Sequence, residues 1–312
     1  MGMSVRPVDL AEALILRDES GALPFAGGTD LMVRHRAKNG MGPSFQKSLL
    51  FVDHLPELRR VKWDHGELEI GAAVPMAVLA DDPRARKDAL RREEASEEAL
   101  SKIPSLLRDA AFDLGAPALR TRATPGGNVA NASPAGDVLT ALVALDARVI
   151  LAHRNGEREL PVLDFTLGPG KTQLAQNELI RAFRFPVPET RWCYWRKVGT
   201  RRANALTKVS LGAFGTIQNG TLESLSLAFG AVGPRIVLAD DAAKMLLGFS
   251  EKDFESSDGK TRMAQAQKLA AQVISPIDDQ RSTAHYRKTV ALNLFEEALR
   301  ALAKNLKENT DD

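Results

Sequence analysis

The sequence predicts an α+β protein of two or three structural units, on three observations. Its 312 residues exceed what one typical compact core holds. Short extended runs, several in hairpin pairs around Asn-Gly or Asp-x-Gly turns, alternate with helical patterns through the first two thirds. The last third then carries one hairpin followed by helices.

Residues 1–55 read as strand, helix, strand, helix, strand, a small α/β unit. Asp9 and Glu12 form an N-terminal capping pair for a helix carrying Leu10, Ala13, Leu14 and Leu16, which Gly21 ends. Leu23-Pro24-Phe25 is a short extended run. The turn Ala26-Gly27-Gly28-Thr29-Asp30 leads into Leu31-Met32-Val33, the apolar start of a helix, and Leu49-Leu50-Phe51-Val52 is a buried-type strand.

Residues 56–186 form a second unit of mixed or antiparallel sheet with helices. Val61-Lys62-Trp63 and Leu68-Glu69-Ile70 alternate around the turn Asp64-His65-Gly66. Val149 to Leu151 and Arg158 to Leu160 flank Asn155-Gly156, a strong hairpin signal. Between them lie a mixed-charge run from Arg84 into Glu98, read as a solvated helix, a helix around Ile103 to Leu114, and a helix starting near Ser133-Pro134 with Ser133 as its cap. Pro186 to Thr190 reads as a linker into a third unit, 191–305. There, strands near Leu211 to Ile217 and Leu222 to Phe229 turn at Asn219-Gly220, and Leu292, Phe295, Leu299 and Leu302 share one helix face.

Charge narrows the function. Lys and Arg number 42 against 40 Asp and Glu, for a formal charge of +2, which argues against nucleic acid as the main partner. The single thiol, Cys193, can form no internal disulfide and cannot hold an iron–sulfur cluster or a Cys-rich zinc site. It is expected as a small buried hydrophobe. Trp63, Trp192 and Phe183 are expected in the core. His35, His54, His65, His153 and His285 share no metal-ligand spacing. No run approaches the ~20 apolar residues of a membrane span, and no leader-like start is seen. The expectation is a soluble, cytoplasmic protein.

Two loops carry the chemistry. The first is Phe25-Ala26-Gly27-Gly28-Thr29-Asp30-Leu31; the second is Thr124-Pro125-Gly126-Gly127-Asn128, running on through Ser133 to Asp137. Paired glycines between strand and helix let the backbone approach a ligand closely and aim N–H groups at an anion, typically phosphate. A single Gly-Gly pair is usually only a turn. Two such loops suggest a pyrophosphate gripped from both sides, with Asp137 a candidate for ribose hydroxyls. Neither G-x-G-x-x-G after the first strand nor G-x-x-x-x-G-K-[ST] occurs, so a standard NAD fold or P-loop enzyme is unsupported.

At these residues the chain resembles the FAD-binding, or medium, subunits of the molybdenum hydroxylases, the xanthine dehydrogenase and carbon monoxide dehydrogenase type. Pro24 to Leu31 is similar to that family's first FAD loop. Leu119-Arg120-Thr121-Arg122-Ala123-Thr124-Pro125-Gly126-Gly127-Asn128 is similar to its second, an Ile-Arg-Asn-x-x-Thr-x-Gly-Gly-Asn run ending in Ser-Pro-x-x-Asp. The likeness continues through Leu68 to Val74, Asp164-Phe165, Gly170-Lys171-Thr172, Glu178-Leu179-Ile180, Arg196 to Arg202 and Tyr286-Arg287, almost the entire chain in the family's order. Thr121 departs from the usual Asn, Pro125 from the usual aliphatic, and the charged 84–100 segment is longer than the family's.

The resemblance implies a two-subdomain FAD-binding fold of the vanillyl-alcohol-oxidase/PCMH type, followed by a C-terminal domain with a small antiparallel sheet and helices. It implies that Ala26, Gly27, Gly28, Thr29, Asp30, Gly126, Gly127 and Asn128 bind the pyrophosphate of FAD, and that Thr124 and Asp137 take ribose or phosphate oxygens. Phe25, Leu31 and Ser133 complete the loops. Leu114 and Ile180 are expected near the flavin or adenine rings, Tyr194 or Trp195 near a flavin face, and Lys197 beside the isoalloxazine. No side chain is expected to be catalytic in its own right, because the redox chemistry belongs to the cofactor.

The molybdopterin cofactor and 2Fe-2S clusters are then expected on a large and a small partner subunit, in a dimer of heterotrimers. NAD, oxygen, a quinone or another species is the final acceptor. The rivals are a stand-alone FAD-dependent oxidoreductase of the same fold, a noncatalytic assembly protein that has lost FAD, and, weakest, a nicotinamide-only dehydrogenase.

Overall fold

A computed structural model of the chain describes residues 4–36 and 42–308. In the first unit, Asp9 caps helix α1 (Leu10–Ser20) by accepting the Glu12 amide at 2.8 Å, and the Glu12 carboxylate takes the Val8 amide in return. Gly21 closes the helix in the left-handed region at φ 59°. Strand β1 (Leu23–Phe25), the single-turn helix α2 (Leu31–Arg34) and strand β2 (Leu49–Phe51) follow. β1 runs parallel to β2, and Val5 bridges Leu50, also in parallel. Ala13, Leu14, Leu50, Leu55 and Leu58 pack beneath them, against Ala152 and Leu179 of the next unit.

The second unit is a five-stranded antiparallel sheet with helices on one side. The hairpin β3 (Val61–Asp64) and β4 (Glu67–Gly71) leads to the helices α3 (Met76–Leu79), α4 (Pro83–Arg91), α5 (Glu97–Ser101), α6 (Ser105–Asp113), α7 (Pro117–Arg120), α8 (Pro125–Ala130) and α9 (Asp137–Ala144). A second hairpin, β5 (Arg148–His153) and β6 (Gly156–Pro161), precedes α10 (Val162–Phe165) and the small pair β7 (Thr166–Gly168) and β8 (Lys171–Thr172). Strand β9 (Leu179–Pro186) then inserts between the two hairpins, giving the order β3-β4-β9-β5-β6. The core lies between this sheet and α6 and α9, whose Leu106, Leu107, Leu139 and Leu142 are buried. The run beginning at Arg84 is the solvated helix α4, capped by Asp82, with only Ala89 buried.

One expectation fails here. The helix after the second glycine loop begins at Asp137, not at Ser133-Pro134. The Ser133 hydroxyl accepts the Ala135 amide at 3.2 Å, closing a local turn rather than capping a helix. The Pro134 carbonyl is held by the Ala231 amide at 2.7 Å, which ties that turn to the third unit.

The third unit carries an antiparallel sheet, β10 (Arg191–Gly199), β11 (Thr207–Gln218), β12 (Thr221–Gly230) and β13 (Val237–Leu238), and the helices α11 (Asp240–Lys244), α12 (Ser257–Val273) and α13 (Ala284–Glu308). Strand alternation gives this sheet two apolar faces. Val209, Leu211, Ala213, Leu227 and Phe229 meet Phe295, Leu299 and Leu302 of α13. Cys193, Trp195, Phe214 and Ala228 pack into the core of the second unit. Gly212 marks the seam: an added Cβ would stand 3.1 Å from Leu106 of α6 and 3.4 Å from Ala144 of α9. The third unit's sheet is thus a middle layer that clamps α6 and α9. None of the described helices is long and apolar enough to cross a membrane.

Candidate functional site

The first glycine loop turns tightly between β1 and α2. Gly28 adopts φ +70° under the Phe25 ring, and a Cβ there would meet that ring at 2.4 Å. The Phe25 ring packs on Phe51 and Phe45, so it braces the loop. Among the described residues, the main-chain amides of Gly27, Gly28, Thr29 and Asp30 donate to nothing inside the chain. These amides lie at partly or fully exposed positions, and such a row of adjacent free donors is a nest for an anion.

The second loop is built differently. Thr124 is extended (φ −131°, ψ 152°), as the residue before a proline must be, and Pro125 stands at a first helical position, where no N–H is needed. Pro125 therefore leaves the loop intact. The Gly126 amide donates to the Ala72 carbonyl at 2.9 Å, the Gly127 amide to the Thr124 hydroxyl at 3.1 Å, and the Asn128 amide to the Thr124 carbonyl at 3.0 Å. These three amides are spent within the protein, on Ala72 and Thr124. What it can offer are side-chain donors: the Thr124 hydroxyl proton and the Asn128 side-chain NH2, oriented because its Oδ1 accepts the Leu139 amide at 3.0 Å.

The two loops are in contact. A Cβ on Gly27 would stand 2.0 Å from the Arg122 carbonyl oxygen, and one on Gly126 would stand 2.7 Å from both the Cβ and the oxygen of Ala72. The glycines are thus required for close approach of Phe25–Asp30, residues 122–128 and the Gly71-Ala72 end of β4. Two further links cross the same seam: Arg122 pairs with Asp53 at 3.2 Å, and Arg34 donates to Asn131.

Beyond the loops lies a buried charge cluster. Lys197 on β10 and Asp137 at the start of α9 pair at 2.6 Å, with side chains 8% and 7% exposed. A lysine on a strand is ordinarily a surface residue; this one is buried because its strand is the middle layer. Lys197 also donates to the Asp113 carbonyl at 2.9 Å, and Thr207 donates to the other Asp137 oxygen at 2.6 Å. Burial pushes the Asp137 carboxyl up, while Lys197 and Thr207 oppose that shift. Both oxygens of Asp137 thus face protein donors.

Trp195, two residues before Lys197 on the same face, donates its indole N–H to the Asp113 carboxylate at 2.9 Å. Tyr194 points the other way, into the third unit's core, where its ring stacks on Trp192 at 6.2 Å and burial, with Glu297 nearby, pushes its phenol up. Of the two aromatic candidates, Trp195 shares the face of Lys197. Leu114, the residue that closes α6, and Ile180 on β9 both pack on the second unit's core. Thr29, Asp30 and Leu31 lie at the rim of the first loop, partly or fully exposed. Asp113, Thr207, Arg122, Asp53 and Arg34 were not singled out from the sequence. Each acts through a partner at least 60 positions away, a separation over which local patterning carries no signal.

Residues 2–188 match the model of the FAD binding domain in molybdopterin dehydrogenase, and residues 194–302 match the CO dehydrogenase flavoprotein C-terminal domain. The chain is 29% identical to the glyceraldehyde dehydrogenase medium chain of Sulfolobus acidocaldarius over 300 residues, 96% of this chain and 97% of that one. It is 27% identical to the carbon monoxide dehydrogenase medium chain of Afipia carboxidovorans over 305 residues, again 96% and 97%. It is 29% identical to the xanthine dehydrogenase FAD-binding subunit of Escherichia coli O157:H7 over 73% of each chain. In fold it superposes on a chain of the reconstituted CO dehydrogenase from Oligotropha carboxidovorans with a TM-score of 0.81 at 22% identity, covering 96% of each chain. Quinoline 2-oxidoreductase from Pseudomonas putida gives 0.78 at 22% over 98% of each. With a cradle of close-approach glycines, free amides and a family match across both parts of the chain, the protein belongs to the FAD-binding medium subunits of the molybdopterin dehydrogenases.

Proposed function

We propose that this chain holds FAD across the contact between its two glycine loops and serves as the flavin-carrying electron-transfer subunit of a molybdenum hydroxylase complex. The observation that carries the reading is the row of unsatisfied amides from Gly27 to Asp30, set against a second loop that presents the Thr124 hydroxyl and the Asn128 amide. Acidic oxygens of a pyrophosphate suit both donor sets. The residues fit the cofactor: close approach at Gly27 and Gly126 brings the free amides of the first loop beside the Thr124 and Asn128 donors of the second.

Under this reading, Ala26, Gly27, Gly28, Thr29 and Asp30 take the pyrophosphate from one side, and Thr124, Gly126, Gly127 and Asn128 from the other. Phe25 and Leu31 brace the first loop and Ser133 the second. Leu114, Ile180 and Trp195 shape the walls for the rings, with Tyr194 on the opposite face of the same strand. Asp137 reaches the cofactor only alongside Lys197, whose charge it neutralises. FAD, when bound, supplies the capacity to accept electrons one or two at a time and to release them to a different acceptor. The chain's own residues bind, orient and exclude water, and the Lys197–Asp137 pair sets the local field.

The lone Cys193 cannot ligate a cluster, so any cluster that feeds the flavin sits on a partner. We assign that role to a small iron–sulfur subunit, fed by a large molybdenum-binding subunit, in a dimer of heterotrimers in the cytoplasm. NAD is the acceptor we favour, because a hydride acceptor suits a flavin relay.

The test is an absorption spectrum of the purified chain with the released cofactor identified by mass. One FAD per chain, lost in Gly27→Val, supports the reading. Folded, colourless protein that refuses added FAD sinks it and leaves the noncatalytic assembly role. Molybdenum and iron co-purifying with the tagged chain from its own cells distinguish the complex subunit from a stand-alone flavoenzyme.

A further inference from the structure

The buried cluster at the seam contains two residues with no role in the reading above. Asp113 ends α6, and Thr207 begins β11. Asp113 makes two contacts of different kinds: its main-chain carbonyl accepts Lys197 at 2.9 Å, and its carboxylate accepts the Trp195 indole at 2.9 Å. Lys197 and Trp195 stand two apart on one strand, so both point to the face that meets α6. Asp113 therefore holds two polar third-unit side chains that reach the FAD-binding half. Thr207 acts on the opposite partner: its hydroxyl donates to Asp137 Oδ1 at 2.6 Å, leaving Oδ2 for Lys197 at 2.6 Å. Thr207 is itself buried, at 2% exposure.

A lysine ammonium has three donors and uses two here, so one remains for a further acceptor. Ser210, the cross-strand partner of Lys197, carries a fully buried hydroxyl with no hydrogen-bond partner. A buried polar group without a partner is costly.

We propose that Asp113 and Thr207 are positioning residues of the flavin site, Thr207 holding Asp137 towards Lys197 and the Asp113 carboxylate holding Trp195 beside Lys197 across the seam, and that together they set how tightly the cofactor is held. The inference rests on the reading that FAD binds at the glycine loops. The groups that bear on Asp137 are Lys197 from β10, Thr207 from β11 and the Asp113 charge from the end of α6.

The experiment measures FAD affinity and release rate of the full chain across pH 5–8 for wild type, Thr207→Val, Thr207→Ser and Asp113→Ala. Valine keeps the shape of threonine and removes only the hydroxyl; serine restores it. Losing one hydrogen bond to a charged group corresponds to about a tenfold weaker Kd. The expected result is that loss in Thr207→Val, which frees Asp137, and in Asp113→Ala, which frees the Trp195 indole while keeping the main-chain carbonyl on Lys197, with Thr207→Ser within about twofold of wild type. Thr207 favours the ionised Asp137, so its removal also moves the acid limb of FAD binding to higher pH. Wild-type affinity in both Thr207→Val and Asp113→Ala, or weaker binding with an unmoved acid limb and no rescue by serine, overturns the proposal. If Thr207→Val does not fold, Asp113→Ala, at a partly exposed position, decides alone by its affinity. A wild-type chain that takes up no FAD refutes the cofactor reading itself and is thereby distinguished from failure of this one.

Discussion

A methyl group at Gly27 would stand 2.0 Å from the Arg122 carbonyl oxygen, so the first loop cannot keep its contact with the second if that glycine is replaced. Gly27→Ala is expected to cost about 1–3 kcal/mol, the usual range for overpacking, and to abolish FAD retention. Gly168→Ala is the matched control, because nothing lies within 4 Å of the added carbon. It should stay within about 0.5 kcal/mol of wild type. Chemical denaturation of both variants, with FAD retained after gel filtration as the second readout, separates close approach from generic glycine loss. Equal behaviour of the two would remove the basis for a steric role of Gly27. The amino-acid order alone marked Gly27 and Gly126 as loop residues. It could not say which loop has free amides, since Gly126, Gly127 and Asn128 lose theirs to Ala72 and Thr124.

Between elements, β4 and β9 are tied by Glu69, which pairs with Arg181 at 2.8 Å and with Arg184 at 2.8 Å. Burial alone would raise the Glu69 carboxyl, but the two guanidiniums hold it down at about 2, from an ordinary 4.5. Its folded value lies below its unfolded one, so its contribution to stability is full above pH 4.5 and is lost as the pH falls towards 2. After allowance for solvent screening the contribution is about 1–2 kcal/mol. Urea midpoints of wild type and Glu69→Gln should therefore differ most at neutral pH and converge near pH 2. A gap that does not close on acidification would assign the loss to packing instead. At this scale the sequence was legible where contacts are local. The hairpins turn at His65-Gly66, at Asn155-Gly156 and at Asn219-Gly220, with positive φ at His65, Gly66, Gly156, Asn219 and Gly220. Of the predicted stripe on α13, Phe295, Leu299 and Leu302 are buried and Leu292 is partly buried against the same core. The insertion of β9 between β4 and β5 was not legible, because its pairing with β4 joins residues more than a hundred positions apart. Nor was the helix start after the second loop, where a serine turn and a cross-unit hydrogen bond to Pro134 outweigh a good capping pattern.

For the molecule as a whole, the decisive feature is that a sheet of the third unit is sandwiched between its own helices and those of the second, with Lys197 and Asp137 buried where the two units meet. Breaking one member of such a pair leaves an uncompensated buried charge and typically costs 3–5 kcal/mol, whereas replacing both with apolar residues is often close to neutral. Lys197→Met should therefore be strongly destabilised at neutral pH and should split the thermal transition, the third unit parting first. Because burial pushes the Asp137 carboxyl up, the stranded acid sheds its charge as the pH falls, so the defect should shrink towards pH 4 and return as the pH rises. The double variant Lys197→Met/Asp137→Leu should regain a single transition near the wild-type temperature. Saturating FAD distinguishes structure from function in these chains. At a hundred times its Kd, a ligand adds about 2.7 kcal/mol, and calorimetry should register that gain in wild type and little of it in the stable double variant. A double variant that melts as one unit yet still takes the full gain would make the buried pair a purely structural clasp. A double variant that melts as one unit and has lost the gain means that this chain keeps an otherwise dispensable charge pair in its core for the sake of the cofactor.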